Sequence, residues 1–253
     1  MEIQILYEDE NVVAVNKPAG LMVHGDGKTD EKTLVDFLLE KYPEIEGVGE
    51  PPITVHTTRY TPRAIPRWGI VHRLDKETSG AMVVAKTAEA HAHFKKQFQD
   101  RLAKKTYHAF LHGEMKKDEG VIDRPIGRSS SDFRKWSATR GAKGEMREAL
   151  TEYKVLKRGH GCTFVEVRPK TGRTHQIRVH FKAINYPVVC DKLYAFARRS
   201  RDEGGSKQGC VLGFDRLALH SLNLGVLLPS GKDILIEAPY PEDFRKAISL
   251  INP

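Results

Sequence analysis

The chain lacks the sequence features of membrane-spanning, secreted and disulfide-stapled proteins. None of its apolar runs approaches the roughly 20 residues that a membrane-spanning helix needs. The N-terminus has no basic segment followed by an apolar one, as a secretory signal would have. The 3 cysteines are widely spaced and form no Cys-x-x-Cys pair, which argues against a disulfide framework and against a zinc site. These absences predict a soluble protein of the reducing cytoplasm without a membrane partner.

Several common catalytic and cofactor-binding motifs are missing as well. The segment 27–29 reads GKT, like the end of a phosphate-binding loop, but Met22 stands where that loop needs a glycine. No Gly-x-Ser-x-Gly elbow surrounds Ser79, and no dinucleotide fingerprint occurs. His175 and His180 lack the glutamate of a zinc-protease helix. The sequence therefore predicts neither a cofactor nor a metal, and it leaves a cofactor-free enzyme and a binding module open.

Positive charge is what the chain has in excess, with a formal net charge of +8. Segment 124–147 holds seven Lys or Arg against two acids, and segment 192–207 holds five against two, which together account for the whole excess. Clustered cations attract polyanions such as RNA. Because the first segment is also rich in Ser and Gly, we expect a loop that RNA orders. For Arg198–Lys207, a merely solvated surface is an equal alternative. The predicted contacts to RNA phosphates are Arg128, Arg134, Lys135 and Arg140.

Hydrophobic periodicity predicts short strands interspersed with a few helices. Helices are expected over 33–40, 88–104 and 174–184, and a short one after Pro241. The stretch 42–68 contains five prolines and is expected to be irregular. Strands that follow one another through hairpins indicate an α+β fold with a mixed, largely antiparallel sheet, flanking helices and long basic loops. With 253 residues, the chain fits one domain over 1–253 or two closely packed subdomains.

The segment His72–Gly80 reads HRLDKETSG and is the most specific pattern in the chain. It places Asp75 between Arg73 and Lys76, which in most proteins makes a surface ion pair of little energetic value. The whole string, however, resembles the catalytic signature His-Arg-Leu-Asp-x-x-Thr-Ser-Gly of the RluA-type RNA pseudouridine synthases. In that family the aspartate is the essential carboxylate, and the resemblance assigns this role to Asp75.

Other segments extend the resemblance in the family's order. The segment 105–109 reads KTYHA and is similar to the family's Lys-x-Tyr-x-Ala, whose tyrosine stacks on the target uracil; here it is Tyr107. The segment 169–180 looks like the third motif, whose second arginine, here Arg178, pairs with the catalytic aspartate. The segment 217–221, LALHS, resembles a Leu-His-Ala stretch near the base. The opening of the chain, 7–21, also matches the family pattern.

The resemblance implies a function and a set of site residues. The expected reaction is an isomerisation of specific uridines in structured RNA to pseudouridine, without a cofactor. Large-subunit ribosomal RNA is the favoured target and tRNA the alternative. The expected catalytic residues are Asp75, Tyr107 and Arg178, and the expected substrate-binding residues are Arg73, Leu219 and Lys105. The catalytic pattern begins at once, so we expect no N-terminal RNA-binding domain of the S4 type. We also expect a monomer with no obligate protein partner.

Two departures and two rival functions accompany this interpretation. Cys190 precedes Asp191 where the family has glycine, and Ser221 replaces an alanine. A non-catalytic RNA-binding or ribosome-assembly factor would not need Asp75, Tyr107 and Arg178 together. A nucleoside or glycoside hydrolase would need a second carboxylate about 5–10 Å from the first, and Glu77 is the near candidate. Turnover of free nucleosides would favour the hydrolase, since a synthase should require structured RNA.

Overall fold

Short strands and helices alternate along the chain. The computed structural model describes residues 3–27, 29–57, 60–139, 142–195 and 210–251, so Arg140 and the segment Arg198–Lys207 lie outside the described residues. In chain order, the strands are β1 (Gln4–Glu8), β2 (Val12–Lys17), β3 (Ile53–Thr57), β4 (Tyr60–Ile65), β5 (Ser79–Ala85), β6 (Lys104–His112), β7 (Glu119–Asp123), β8 (Ile126–Ser129), β9 (Trp136–Ser137), β10 (Ala142–Arg147), β11 (Leu150–Gly159), β12 (Cys162–Pro169), β13 (Leu219–Leu227) and β14 (Asp233–Glu237). The helices are α1 (Leu34–Lys41), α2 (Ala88–Gln99), α3 (Gln176–Ala183) and α4 (Glu242–Leu250), with a 3-10 turn at Pro43–Ile45.

The chain divides into two compact units. The first consists of Met1–Lys104 and Ser221–Pro239, and the second of Lys105–His220 and Tyr240–Pro253. Six strand pairs in these units are antiparallel: β1–β2, β2–β5, β13–β14, β6–β12, β11–β12 and β7–β11. The predicted α+β class with a largely antiparallel sheet is therefore confirmed. Of the helices in the described ranges, none is long and apolar enough to cross a membrane.

In the first unit, β5 is the central strand of the order β1-β2-β5-β13, and β14 pairs with β13. All seven residues of β5 are buried, and its partner β2 is buried at five of six positions. A strand covered on both faces reads as a continuous apolar run, which is why 81–85 contains only Ala, Met and Val. This rigid strand directly follows the segment that carries Asp75.

Side-chain caps set the starts of the two helices in the first unit. Thr33 and Asp36 form a reciprocal capping box at α1, and Thr87 accepts a hydrogen bond from the amide of Ala90 at α2. The predicted extension of α2 to residue 104 is wrong. Arg101 has a φ of 60°, a left-handed conformation that ends the helix, and β6 begins at Lys104. Leu102, expected in the buried stripe of the helix, is 63% exposed.

The expectation that 42–68 is irregular is also wrong in part, since β3 and β4 form a two-stranded hairpin. Pro62 does not prevent the pairing, because the register shifts between the Val55–Arg63 and Thr57–Tyr60 pairs, and the proline falls in this irregularity. A bulge is where a strand tolerates a residue without an amide hydrogen. The proline count therefore predicted the interruption but missed the strands around it.

The second unit contains the sheet β6-β12-β11-β7, covered by α3 and α4. Its core is centred on phenylalanines: Phe110 contacts Phe164, Phe214 and Phe244 at ring-centroid distances of 4.7, 5.2 and 5.5 Å. Phe181 of α3 is fully buried against the same sheet. Helix α3 begins two residues later than predicted, because His175 takes a left-handed φ of 56° just before it. The helix that carries Arg178 is thus held on a well-packed face.

The basic segment 124–147 is a small sheet rather than the predicted loop. Strands β10, β8 and β9 pair in this order. The cause is a set of apolar residues among the cations: Ile126 and Ala149 are buried with Val179 of α3 and with Tyr194. Trp136 packs against the same cluster. The charge count detected the cations and overlooked this anchor.

The prediction that the cysteines form no disulfide is corrected by the fold. Cys190 and Cys210 are disulfide-bonded, with their Cα atoms 4.4 Å apart. They are 20 residues apart in sequence, so spacing along the chain does not reveal the pair. Cys162 is the free thiol among the described cysteines, and its burial raises its pKa to about 11.

Candidate functional site

Asp75 lies half-buried in a tight turn immediately before β5. Its carbonyl oxygen accepts a hydrogen bond from the amide of Thr78 at 3.1 Å. On either side, Leu74 and Thr78 are buried, whereas Arg73 is exposed. The ammonium of Lys76 contacts the carboxylate of Glu31 at 2.7 Å. The turn is thus anchored by its flanking residues and presents Asp75 between them.

The strongest anchor of this turn is a buried lysine. Lys17, at the end of β2, is 0% exposed, and its ammonium donates to the carbonyl oxygens of Pro18 at 2.8 Å, Leu21 at 2.8 Å and Lys76 at 3.1 Å. A buried ammonium is stable only when its charge is compensated by such acceptors. The amide of Gly20 donates to the same Lys76 carbonyl at 2.8 Å. Lys17 therefore ties the turn after β2 to the residue that follows Asp75.

His72 and Gly80 hold the two ends of the motif. Nε2 of His72 accepts a hydrogen bond from the amide of Val83 at 3.0 Å, and its ring stacks on Phe98 at 4.5 Å. Gly80 has a φ of 117°, and a Cβ there would lie 2.1 Å from the carbonyl oxygen of Ser221. Only glycine fits this close approach. The His and the final Gly of the signature are therefore structural residues here.

In the second unit, Arg178 is buried and forms an ion pair with Asp191. Its Nε donates to Oδ2 of Asp191 at 2.7 Å, and its Nη2 donates to Oδ1 at 2.9 Å. The guanidinium also lies 5.0 Å from the ring centroid of Tyr194, within range of a cation–π interaction. Two parallel charged hydrogen bonds fix both the position and the plane of an arginine head group. Arg178 is therefore held in one orientation.

The back of α3 is fixed by His180, which is fully buried. Its Nε2 bonds to the carbonyl oxygen of Arg124 and must donate, and its Nδ1 bonds to the hydroxyl of Thr151; both distances are 2.9 Å. Gln176 also donates to that hydroxyl, at 2.9 Å. Burial lowers the pKa of His180 and so favours the neutral ring. His180 is thus a structural histidine.

The other predicted base-binding residues lie on the same unit or at its edge. Tyr107 is partly buried in β6, paired with Val167 of β12, and packs against the aromatic core. A Cβ at Gly172 would lie 3.8 Å from the ammonium of Lys105, so this lysine stands beside the loop that leads into α3. Leu219 is buried at the start of β13. Lys105 therefore lies next to the third motif, and Tyr107 pairs with the strand that leads into it.

The predicted phosphate contacts Arg128, Arg134 and Lys135 lie on the β8–β9 hairpin. The guanidinium of Arg128 stacks 4.3 Å from the ring centroid of Trp136 and donates to the carbonyl oxygen of Phe133 at 3.1 Å. Arg134 donates two hydrogen bonds to Asp132, and these together with its backbone amide lower the pKa of Asp132 to about 2. Phe133 is 77% exposed at the tip. The hairpin thus presents cations and an aromatic ring to solvent.

Across the described part of the chain, no three His, Cys, Asp or Glu side chains cluster so as to hold a metal ion. A sequence model described as RNA pseudouridylate synthase matches residues 11–183, more than half of the chain. The chain belongs to the RNA pseudouridylate synthase family. The matched range includes Asp75, Tyr107 and Arg178, although the match by itself assigns no role to any single residue. The predicted membership in a pseudouridine synthase family is confirmed.

Individual pseudouridine synthases resemble the chain over nearly all of its length. An uncharacterized RNA pseudouridine synthase from Aquifex aeolicus is 38% identical over 253 residues, which are 99% of this chain and 73% of that protein. The ribosomal large subunit pseudouridine synthase D of Pseudomonas aeruginosa is 39% identical over 256 residues, covering 100% of this chain and 72% of the relative. Human RNA pseudouridylate synthase domain containing 1 superimposes with a TM-score of 0.70 at 26% identity, over 95% of this chain and 84% of that one. The chain is an RNA pseudouridine synthase.

Sequence reasoning missed three residues of this synthase that the structure brings forward. Lys17, the last residue of the buried strand β2, was part of a matched opening pattern but received no role. Asp191 was noted only for the cysteine before it. Tyr194, 5% exposed, carried no motif at all. Lys17 contacts the backbone of the turn at Asp75, and the other two contact Arg178, so no pattern of catalytic residues marks them.

Proposed function

We propose that this synthase isomerises uridines of large-subunit ribosomal RNA, with Asp75 as its essential carboxylate. The observation that carries the choice of RNA is the 39% identity, over the whole chain, to a protein named ribosomal large subunit pseudouridine synthase D. A tRNA target is the alternative outcome of the test below. We further propose that the enzyme acts in the cytoplasm and as a monomer.

The reaction breaks the bond between N1 of uracil and C1′ of the ribose, turns the base and joins C5 to C1′. No atom is gained or lost, since the hydrogen on C5 is replaced by the sugar carbon and N1 takes up a proton. Asp75 would act in its ionised form. Its support is the backbone-anchored turn, which holds the carboxylate half-buried next to a rigid strand.

The remaining roles follow the family resemblance and fit the local structure. Tyr107 would stack on the extruded uracil and assist proton transfer at C5. Arg178 would be the arginine that pairs with Asp75, as the family resemblance implies. Arg73, which is exposed, would fill the space that the uridine vacates or hold a flanking phosphate, and Lys105 and Leu219 would border the base. Extruding a stacked uridine costs roughly a few kcal/mol, which contacts of this kind must offset.

Contacts to the RNA backbone are proposed for Arg128, Arg134 and Lys135. All three lie on one hairpin, and Arg134 is 63% exposed at its side chain. Arg128 contacts the ring of Trp136 and the carbonyl oxygen of Phe133, and Arg134 and Lys135 contact Asp132. Each cation could exchange these contacts for a contact with an RNA phosphate. The support is therefore the exposure of these cations combined with their location on one hairpin.

The test is replacement of one carboxylate oxygen. Asp75→Asn should lower pseudouridine formation in a ribosomal RNA fragment by at least about 10³-fold while RNA binding persists, because the amide cannot supply the charge. The target RNA is found by mapping pseudouridines, through chemical labelling, in ribosomal RNA and tRNA from a deletion strain. The strain is then complemented with the native or the Asp75→Asn chain.

Glu77→Gln is the matched control, because it removes a second carboxylate two residues away. It should leave activity within about twofold, whereas a hydrolase using both carboxyls would lose it. Turnover of Asp75→Asn near the native level would remove Asp75 from the mechanism. A site missing from tRNA in the deletion strain, with ribosomal RNA unchanged, would replace the proposed target.

A further inference from the structure

We propose that Asp191 and Tyr194 are positioning residues that hold the guanidinium of Arg178 for the reaction. This inference rests on the proposed function, in which Arg178 takes part in catalysis. Both residues lie C-terminal to the range that the family model matches. They act through Arg178, and neither is assigned a contact with the RNA.

Asp191 is placed to orient both Arg178 and the chain that follows it. Its side chain is 0% exposed, and its two oxygens meet two different nitrogens of the guanidinium. Oδ1 also accepts the backbone amides of Leu193 at 3.0 Å and Tyr194 at 3.1 Å. One carboxylate therefore fixes the arginine and, through the same atom, the turn that carries Tyr194.

Tyr194 makes a second contact with the guanidinium, through its aromatic ring. Its ring makes the cation–π contact with Arg178, and its hydroxyl accepts a hydrogen bond from the backbone amide of Trp136 at 2.9 Å. The same hydroxyl bonds to Nδ1 of His175, the residue that precedes α3, at 2.9 Å. Tyr194 thus connects the helix of Arg178 with the β8–β9 hairpin that is proposed to grip RNA.

The physical reason for such a holder is the length of the arginine side chain. A free arginine samples many rotamers, and a catalytic charge must be placed to within a fraction of an ångström. Two constraints of different kinds, a bidentate acid and an aromatic ring, remove that freedom before RNA binds. The fixed guanidinium then needs no reorganisation during the reaction.

The chain contains a matched control pair in the same unit. Arg216 donates from Nε and Nη2 to the two oxygens of Asp243 at 2.6 and 2.9 Å, and Oδ1 of Asp243 also accepts the amide of Phe244. This pair copies the geometry around Asp191 but involves no residue of the proposed site. A general loss caused by breaking any bidentate pair would therefore appear in Asp243→Asn as well.

The main experiment measures kcat and KM of the 253-residue chain on an RNA fragment. Asp191→Asn keeps one oxygen for the two amides and turns an NH₂ group toward Nε of Arg178, so two donors face each other. We expect kcat to fall about 10–100-fold, with KM within about twofold. Tyr194→Phe keeps the ring and loses the hydroxyl, and should lower kcat by about 3–10-fold. Asp243→Asn should change neither constant.

A double-variant cycle separates positioning from a merely structural role. A lysine cannot be gripped by two parallel bonds, so in an Arg178→Lys background Asp191→Asn should cost much less than in the native chain. An equal loss in both backgrounds would show that Asp191 acts independently of Arg178 and would overturn the proposal. If Asp191→Asn does not fold by circular dichroism, the same cycle is run with Tyr194→Phe.

Failure of this inference can be distinguished from failure of the proposed function. Full activity of Arg178→Ala would contradict the proposed role of Arg178 itself. An inactive Arg178→Ala with a fully active Asp191→Asn and Tyr194→Phe would overturn the positioning role alone. A loss in kcat that vanishes in the Arg178→Lys background supports it.

Discussion

Lys17 and the cations of the β8–β9 hairpin carry the same charge in opposite surroundings. Lys17 is fully buried, and its ammonium donates hydrogen bonds to three carbonyl oxygens. Arg134 and Lys135 are at least one-third exposed and share one acid, Asp132. A buried cation organises the backbone around it, because moving any acceptor strands a charge. An exposed cation costs little to redirect, so it remains available to a phosphate.

Replacing Lys17 should give the largest effect on stability. Lys17→Met fills the volume but leaves the carbonyl oxygens of Pro18 and Leu21 without this donor, while that of Lys76 keeps the Gly20 amide. Each unsatisfied oxygen costs about 1–3 kcal/mol, so we expect the free energy of unfolding to fall by about 2–6 kcal/mol. Urea unfolding followed by circular dichroism measures this loss. Lys32→Met is the control, since Lys32 is 74% exposed in a surface pair with Glu40, and little change is expected. Equal stability of the two variants would contradict the anchoring role.

His180 should give an intermediate, pH-dependent effect. Its folded pKa is lowered from 6.5, so below pH 6.5 the unfolded chain binds a proton that the folded chain does not. The stability it contributes is therefore complete above pH 6.5 and declines as the pH falls toward the lowered folded pKa. Unfolding measured from pH 8 to 5 should show a shallower decline for His180→Gln than for the native chain. Identical slopes would contradict a neutral, buried His180.

The hairpin cations should affect stability least and RNA binding most. Replacing both Arg134 and Lys135 by Gln should reduce the magnitude of the slope of log K against log salt by about 1.4–1.8 for RNA binding, since two phosphate contacts are lost. Thermal unfolding should hardly change. The matched control is Lys116→Gln with Lys117→Gln, two exposed cations of the same unit. An unchanged slope for the hairpin variant would refute its role in RNA binding.

Prediction from the sequence succeeded where a feature depends on residues that are close together in the chain. The apolar run of β5, the start of α2 after Thr87 and the HRLDKETSG string each depend on neighbours along the chain. For this reason the fold class, the start of α2 and the family could be predicted. The identity of the residues alone, however, leaves the roles of Asp75, Tyr107 and Arg178 to experiment.

What could not be predicted depends on contacts between distant segments. The Cys190–Cys210 disulfide, the grip of Asp191 on Arg178 and the anchoring of Lys17 to Lys76 join residues 13 to 59 positions apart. The small sheet at 126–147 formed because Ile126 and Ala149 found partners on α3 and at Tyr194. Because this segment is dominated by charged residues, its few buried apolar residues did not stand out in the sequence. The end of α2 was missed because one left-handed residue, Arg101, outweighed the helical period.

Because Lys17 is buried, the rate of its chemical modification reports how often its surroundings open. An amine-reactive reagent reaches exposed lysines of the folded chain at once, but it reaches the Lys17 ammonium only when the turn next to Asp75 separates from β2. The rate at which Lys17 alone becomes acylated, read by mass spectrometry of its peptide, therefore measures how often that turn opens. The same measurement with RNA bound would report how strongly the substrate holds the turn closed.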